Sequence, residues 1–256
     1  DRQEAQTLSS ILPVILEQNQ FERTWSDVMW QKLKGGTGCY KVVWDANRQN
    51  GLGDIAVERA NLLNLFWEPG VGDIQRSRYV FHTELQDRDL VEAAYPQAAG
   101  RLKSDPFMAK KFLYDDSVKT DGKCTVVEVY YHVGRVLHYC KYVGDVVLYA
   151  TENDTQAPTR TVTREGLDGP VTAEVATGKS MAETGLYAHG LFPFVLDPLF
   201  PIEGSPCGYG YVDLCQSPQT EIDLMRTAII KNTMAGATPR YFIRSDGTVN
   251  ETELLD

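Results

Sequence analysis

The sequence predicts an α+β fold in which N-terminal helices precede an antiparallel or mixed β region and a long helix follows it. Apolar residues recur at helical spacing within residues 2–20 and 21–33. Three β-branched and aromatic runs, separated by "VGR" and "VGD", occupy residues 124–154. A second long helical pattern covers residues 218–235. Together these patterns predict helices at both ends of a β-rich middle.

The N-terminal helical pattern contains a proline, and its second half ends at a glycine cluster. Pro13 lies inside the first apolar pattern and predicts a kink or a split there. The second pattern places Trp25, Val28 and Met29 on a face that we expect to pack in the core. It ends at "GGTG", residues 35–38, which we interpret as a C-cap and turn. A phosphate-binding loop needs the opposite order, with a strand before the glycines and a helix after them.

The β region begins with a strand at Cys39–Asp45, and Asn50-Gly51 predicts the hairpin turn that follows. A later strand leads into a short helix that we expect Asp87 to cap and that ends before Pro96. The runs in residues 124–154 predict an antiparallel meander.

The chain between the meander and the last helix is expected to be irregular. Residues 152–186 are polar and predict a long loop. The proline-rich stretch "HGLFPFVLDPLFPIEGSP" is expected to run extended across the core without a regular ladder. Ser217 then fits an N-cap and Pro218 a first helical position, for a helix about 27 Å long. From Thr238 the pattern changes to a strand.

Composition excludes several functional classes. The 256 residues carry a formal net charge of -10, which argues against a protein that grips nucleic acid by its phosphates. The same charge is compatible with a surface past which DNA slides. No apolar run approaches the roughly 20 residues that span a bilayer. Five cysteines without regular spacing predict reduced intracellular thiols. The chain starts at Asp1 and stops in "NETELLD", which we interpret as a piece cut from a longer protein.

Candidate catalytic and metal-binding residues are few, and none forms a known motif. Zinc would need closely spaced pairs, which the histidines and neighbouring cysteines do not provide: His82, His132, His138, His189, Cys124 and Cys140. A nucleotide-binding or triad motif is also absent from the sequence. We therefore predict no catalytic residue, no cofactor and no metal site. Two alternatives stay open: a hydrolase that uses Cys207 as nucleophile, and a partner-binding module whose 152–186 loop folds on a ligand.

The segment from residue 192 to residue 244 resembles the middle of tailed-bacteriophage portal proteins, of the type encoded in prophages of Gram-positive bacteria. The similarity lies in a proline-aromatic stretch, the "GSPCGYG" approach, the "SPQTEID" helix start and the "TPR" that follows the helix. "KLKGGTGCYKVVWD" and "LGDIAVERANLLNLFWEPGVGDIQRSRYVF" resemble the wing region of the same family. None of these motifs is catalytic.

The resemblance implies a structural protein and not an enzyme: a subunit of a ring, usually of twelve copies, at one capsid vertex. Residues 1–36 would be the helical part of the wing and residues 37–212 its α+β part. Residues 213–237 would be a stem helix, and residues 238–256 the incomplete start of a clip. The implied partners are other copies, the terminase large subunit, capsid and scaffolding proteins, a head–tail adaptor and passing double-stranded DNA, but no membrane. The implied location is the virion, and the host cytoplasm during assembly.

The resemblance also suggests roles for individual residues. Gly204, Gly208, Gly210 and Pro218 would form a hinge into the stem helix. Arg226 and Lys231 are possible DNA-channel contacts, although we favour inter-subunit or surface ion pairs for both cations. A strong basic track would slow the sliding of DNA, whereas two sparse cations would not.

Overall fold

The computed structural model describes residues 2–102, 122–166, 169–176 and 178–237. Contacts divide the chain into two units, Asp1–Tyr211 and Val212–Asp256. The first unit contains the N-terminal helices and every strand of the described residues, and the second contains most of one long helix. The predicted α+β class is confirmed.

Two consecutive helices, α1 (Arg2–Gln18) and α2 (Phe21–Gly35), open the fold. Pro13 lies inside α1 without splitting it. The helices meet at Gln20, whose φ of 49° is in the left-handed region. Gly36, with φ 84°, ends α2, and its amide donates to the Lys32 carbonyl at 2.9 Å. The interpretation of the glycine cluster as a C-cap is therefore confirmed.

The core face predicted for α2 is confirmed at Val28 and wrong at Trp25. Val28 is fully buried and would contact any Cβ placed at Gly38 of the first strand. Trp25 is 50% exposed. The expectation that Trp25 packs in the core is wrong, because the sheet selects the face centred on Val28.

A three-stranded antiparallel sheet has the order β10-β1-β2, with β1 at Thr37–Asp45, β2 at Asp54–Arg59 and β10 at Phe194–Pro198. Asn50 and Gly51 have positive φ in the β1–β2 connection, as the hairpin signal predicted. The proline-rich segment does form a ladder, since β10 pairs with β1 from Phe194 to Pro198. The amides between its prolines remain available for pairing, so the expectation of no ladder is wrong.

The meander belongs to a five-stranded antiparallel sheet of order β3-β4-β5-β6-β7. Its strands are Leu65–Trp67, Tyr79–Asp87, Lys123–Val133, Val136–Val143 and Val146–Ala150. Helix α3 (Arg88–Ala94) follows β4 and has Asp87 at its N-cap position. The Asp87 side chain makes no capping hydrogen bond and lies 3.1 Å from the Lys123 ammonium. The capping role predicted for Asp87 is therefore wrong.

The long loop predicted at residues 152–186 is largely structured. It contains the antiparallel pair β8 (Thr159–Gly166) and β9 (Gly169–Ala176), and then the one-turn helix α4 (Met181–Thr184). The alternating threonines and valines favour strands, and Asp168-Gly169 is a turn signal. The sequence predicted a loop here because the segment contains few large apolar residues.

Two apolar clusters form the core of the first unit. One lies between the two larger sheets and includes Cys39, Val80, Leu137, Phe192 and Phe194. The other lies against α3 and includes Val91, Cys124, Val126 and Leu148. Two further strands, β11 (Phe200–Pro201) and β12 (Gly208–Tyr209), pair just before the long helix.

A buried ionic group joins the two larger sheets. The Lys41 ammonium of β1 lies 2.7 Å from a Glu128 oxygen of β5, and both residues are 7% exposed. His82 Nδ1 of β4 lies 3.1 Å from the same oxygen. The Tyr139 hydroxyl donates to the other Glu128 oxygen at 3.0 Å. The Glu128 carboxylate is thus satisfied by donors from three further strands.

The long helix α5 (Tyr211–Ala237) starts earlier than predicted. Ser217 and Pro218 lie in its interior and are not its N-cap and first residue, so that assignment is wrong. Gly210 is the residue immediately before the helix, and Asp213 stands in its first turn, where an acidic side chain favours a helix N-terminus. The strand predicted from Thr238 and the clip at residues 238–256 lie outside the described residues.

Candidate functional site: the exposed helix and its approach

Helix α5 exposes large apolar side chains along its whole length. It has no buried residue within Tyr211–Ala237. Its exposed apolar side chains, between 48% and 67% accessible, are Val212, Leu214, Ile222, Leu224, Met225, Ile229, Ile230 and Met234. A helix of a monomeric globular protein normally hides such residues on one face. Apolar exposure on this scale is typical of an interaction surface.

Four of these residues and the exposed Pro218 form a continuous line that we call the seam: Leu214, Pro218, Ile222, Met225 and Ile229. Its members are spaced four, four, three and four residues apart, so each turn contributes one. At about 100° per residue they fall within a sector of about 80° and extend over about 23 Å. This spacing is the one by which helices pack side by side.

Arg226 and Lys231 do not share a face of α5. They are five residues apart, which places their side chains about 140° apart around a straight helix. Both are exposed. Within the described ranges, neither cation takes part in an ion pair. Arg226 and Lys231 therefore cannot both point directly at the same DNA surface.

The approach to α5 is held by close backbone contacts at glycines. A Cβ on Gly208 would lie 2.3 Å from the Phe200 carbonyl oxygen, and one on Gly210 would lie 2.3 Å from the Lys34 carbonyl oxygen. The Gly208 amide also donates to the Thr37 hydroxyl at 2.8 Å. No larger residue fits at Gly208 or Gly210 without moving the backbone.

Gly204 differs from those two glycines. It has φ 78°, and a Cβ there would meet nothing within 4 Å. Its requirement for glycine is therefore conformational and not steric. The movement of this segment as a hinge stays a prediction, as does a hinge role for Pro218. Pro218 lacks the amide hydrogen that would bond to the Leu214 carbonyl.

The surroundings of Cys207 do not activate a thiol. Burial raises the pKa of Cys207, and the opposing hydrogen bond with the Thr37 side chain does not reverse the direction. A nucleophilic cysteine needs the pKa lowered by a positive neighbour or a helix N-terminus. The histidines have other partners: Glu128 for His82, the Gly190 carbonyl for His132, Thr151 for His138, and the Leu191 amide for His189.

Metal and membrane functions find no support in the part of the chain that is described. There, no cluster of three or more histidine, cysteine, aspartate or glutamate residues is placed to hold a metal ion. No described helix has the length and apolar character that crossing a membrane requires.

Sequence reasoning missed two features that the structure assembles. The apolar pattern that starts at Pro218 missed the first turns of α5, although Leu214 continues its spacing backward and the stem helix implied by the resemblance starts at residue 213. Sequence reasoning also missed the group formed by Lys41, His82 and Glu128, which are far apart in sequence and carry no shared motif.

Comparison with known proteins supports a structural role. No curated protein matches the chain. A sequence model described as that of the phage P22-like portal protein matches residues 1–254, which is nearly the whole chain. Portal proteins form oligomeric rings in phage heads, and this family is structural and not enzymatic. Because this match covers far more than half of the chain, the chain belongs to the P22-like portal protein family.

Proposed function

We propose that this protein is the subunit of a portal ring that forms the channel for double-stranded DNA during packaging and ejection. The observation that carries the proposal is the 27-residue helix α5, whose apolar side chains are exposed on several sides. In a family that forms rings, neighbouring copies supply the surfaces that cover such a helix.

The finer assignments follow from the family and are part of the same proposal. The ring has twelve copies, stands at one vertex of the virion, and assembles in the host cytoplasm. It docks the terminase large subunit during packaging and a head–tail adaptor afterwards, and it contacts capsid and scaffolding proteins. Residues 1–212 act as the wing and α5 as the stem helix. The chain is of the type found in prophages of Gram-positive bacteria.

Charge supports a channel through which DNA slides. The formal net charge is -10, so the average surface repels the phosphate backbone. Helix α5 carries two cations, Arg226 and Lys231, and at about 140° apart they do not form a track. We favour ion pairs between subunits for these two cations over contacts with DNA.

The test is the assembly state of the purified protein at micromolar concentration. Sedimentation velocity and negative-stain microscopy are expected to detect a closed ring of about twelve copies with a central opening. Monomers or dimers alone would contradict the proposal. Iodoacetamide labelling with peptide mapping addresses the competing hydrolase hypothesis, which requires preferential alkylation of Cys207 near neutral pH.

A further inference from the structure

The three-stranded sheet has two outer strands, β2 and β10, and the carboxamide of a side chain lies along each of them. The order β10-β1-β2 leaves one side of β2 and one side of β10 facing away from β1. Backbone amides and carbonyls on such a side can hydrogen-bond to a strand of another chain, which makes the edge of a sheet a route to association. The partners of these backbone groups therefore decide whether another chain can extend the sheet.

Asn19 covers the outer side of β2. In an antiparallel ladder, residues alternate between facing the partner strand and facing away from it. The Ala60 amide donates to the Cys39 carbonyl of β1 at 3.0 Å. Alternate residues counted back from Ala60 face β1, so Ile55 and Val57 face away from it. The Asn19 carboxamide donates to the Ile55 carbonyl at 2.9 Å and accepts from the Val57 amide at 3.0 Å. An added strand would need the same carbonyl and the same amide.

The Asn19 carboxamide is itself held in place. Its Nδ2 also donates to the Ile15 carbonyl at 2.7 Å, and an Arg48 guanidinium nitrogen donates to its Oδ1 at 2.6 Å. The same Arg48 nitrogen donates to the Ile55 carbonyl at 3.2 Å. Asn19 stands between α1 and α2, so these bonds attach the junction of the two helices to the edge of the sheet. The carboxamide donates twice and accepts twice, which fixes its orientation.

Gln75 covers the start of β10 in the same way. The Val42 amide of β1 donates to the Pro193 carbonyl at 2.8 Å, so Pro193 faces β1. Its neighbours Phe192 and Phe194 therefore face away from β1. Gln75 Nε2 donates to the carbonyls of Phe192 and Phe194 at 3.1 and 3.0 Å. Gln75 Oε1 accepts from the Phe192 amide at 2.9 Å. One side chain thus occupies three outward-facing backbone groups.

Proline and charge occupy further positions on the same two edges. By the same alternation Pro198 of β10 faces away from β1, and a proline has no amide hydrogen to offer to another strand. Arg59 at the end of β2 is exposed, and charged side chains on an outer strand discourage pairing with another chain. These features act in the same direction as the two carboxamides.

We propose that Asn19 and Gln75 act as one-residue substitutes for a neighbouring strand, and that they keep copies of this protein from joining through the edges of this sheet. Portal proteins form oligomeric rings, which hold many copies side by side at high local concentration. The inference concerns a contact that the copies avoid, and it does not depend on the number of copies in the ring.

Substitutions that remove each carboxamide test this role in the full chain. Asn19→Leu and Gln75→Met keep a side chain of similar size and free backbone groups on one edge each. Asn61→Leu is the matched control, because the Asn61 side chain accepts from the Leu63 amide at 3.1 Å and lies outside both strands. Val28→Ala removes buried volume from the core and controls for a loss of stability alone.

The measured quantity is the fraction of protein in species larger than the wild-type assembly, determined by sedimentation velocity at a temperature where circular dichroism shows every variant folded. We expect this fraction to rise at least tenfold in Asn19→Leu and in Gln75→Met, and less than twofold in the two controls. No rise in either variant, or an equal rise in Val28→Ala, would overturn the proposal. A rise in one variant alone would overturn the role of the other residue.

Hydrogen exchange of the wild type provides a second measurement that needs no substitution. The Val57 and Phe192 amides face away from β1, and the carboxamides of Asn19 and Gln75 are their hydrogen-bond partners. We expect both amides to exchange at least tenfold more slowly than in unfolded peptides of the same sequence. Exchange at the rate of the unfolded peptides would overturn the proposal, even if the substituted proteins failed to fold.

Discussion

Removing the charge of Glu128 is expected to destabilise the first unit more than any exposed ion pair could. Glu128→Gln keeps the shape of the side chain but leaves the Lys41 ammonium, 2.7 Å away, without its closest carboxylate. Both side chains are 9% exposed, so water replaces little of the lost interaction. Glu84 lies 3.8 Å from the same ammonium and would compensate in part.

The magnitude follows from the cost of a buried charge without its partner. Breaking such a pair from one side costs about 3–5 kcal/mol. Because Glu84 remains nearby, we expect the lower end, about 3 kcal/mol, which lowers the midpoint of thermal unfolding by about 6–12 °C. Urea unfolding at pH 7.5 measures the free energy directly. A loss below about 1 kcal/mol would refute the reasoning.

The control removes a charge of the same type at a more exposed pair. Lys32 and Asp197 lie 2.8 Å apart, and the Asp197 side chain is 43% exposed. Asp197→Asn is expected to cost about 1 kcal/mol or less. If both variants cost the same, the burial of Glu128 would not be the cause of its effect.

The stability that Glu128→Gln loses relative to the wild type is expected to depend on pH. Burial would raise the pKa of Glu128, but the hydrogen bond with His82 and the Lys41 ammonium outweigh burial and hold this pKa well below its usual range. A depressed pKa stabilises the folded state fully above the unfolded value, near 4.3, and progressively less as the pH falls toward the folded value. The difference in unfolding free energy between wild type and Glu128→Gln should therefore shrink below about pH 4.5. A constant difference down to pH 3 would contradict this assignment.

Three further predictions concern the approach to α5, its thiols and the N-terminal corner. Gly210→Ala puts a methyl group 2.3 Å from a backbone oxygen and should lower the free energy of urea unfolding by at least about 3 kcal/mol. The control Gly35→Ala has open space around it and should be neutral or stabilising by up to about 1 kcal/mol. Equal effects of the two substitutions would refute the steric argument. Iodoacetamide at pH 7.5 should alkylate exposed Cys215 of dissociated subunits at least tenfold faster than Cys207, whose pKa burial raises; faster labelling of Cys207 would revive the hydrolase hypothesis. Gln20→Gly should stabilise the folded protein by about 1 kcal/mol, because Gln20 has φ 49°, a conformation that costs free energy for any residue except glycine. A loss of stability would mean that the contacts of the Gln20 side chain outweigh this backbone cost.

The elements that the sequence located correctly are those with a strong local signal. The β5–β6–β7 meander follows from β-branched runs separated by glycine turns, and the end of α2 follows from a glycine that can adopt φ 84° at Gly36. The sequence did not predict the β8–β9 hairpin. Its strands are largely polar, and strands are recognised most easily when apolar and polar residues alternate. The start of α5 was misplaced because Ser217-Pro218 is a valid start signal that the preceding apolar turns override.

The sequence alone determined the class of the fold, the existence of a long helix near residue 218 and the resemblance to portal proteins, since all three depend on local periodicity and short motifs. The tertiary structure decided which side chains come together. It placed Lys41 and His82 around the Glu128 carboxylate, and it buried Val28 but left Trp25 exposed. It also set Gly208 against the Phe200 carbonyl and Gly210 against the backbone at the end of α2. These contacts join residues up to about 170 positions apart, and local periodicity carries no information about such pairings because they arise only when separate strands and helices pack.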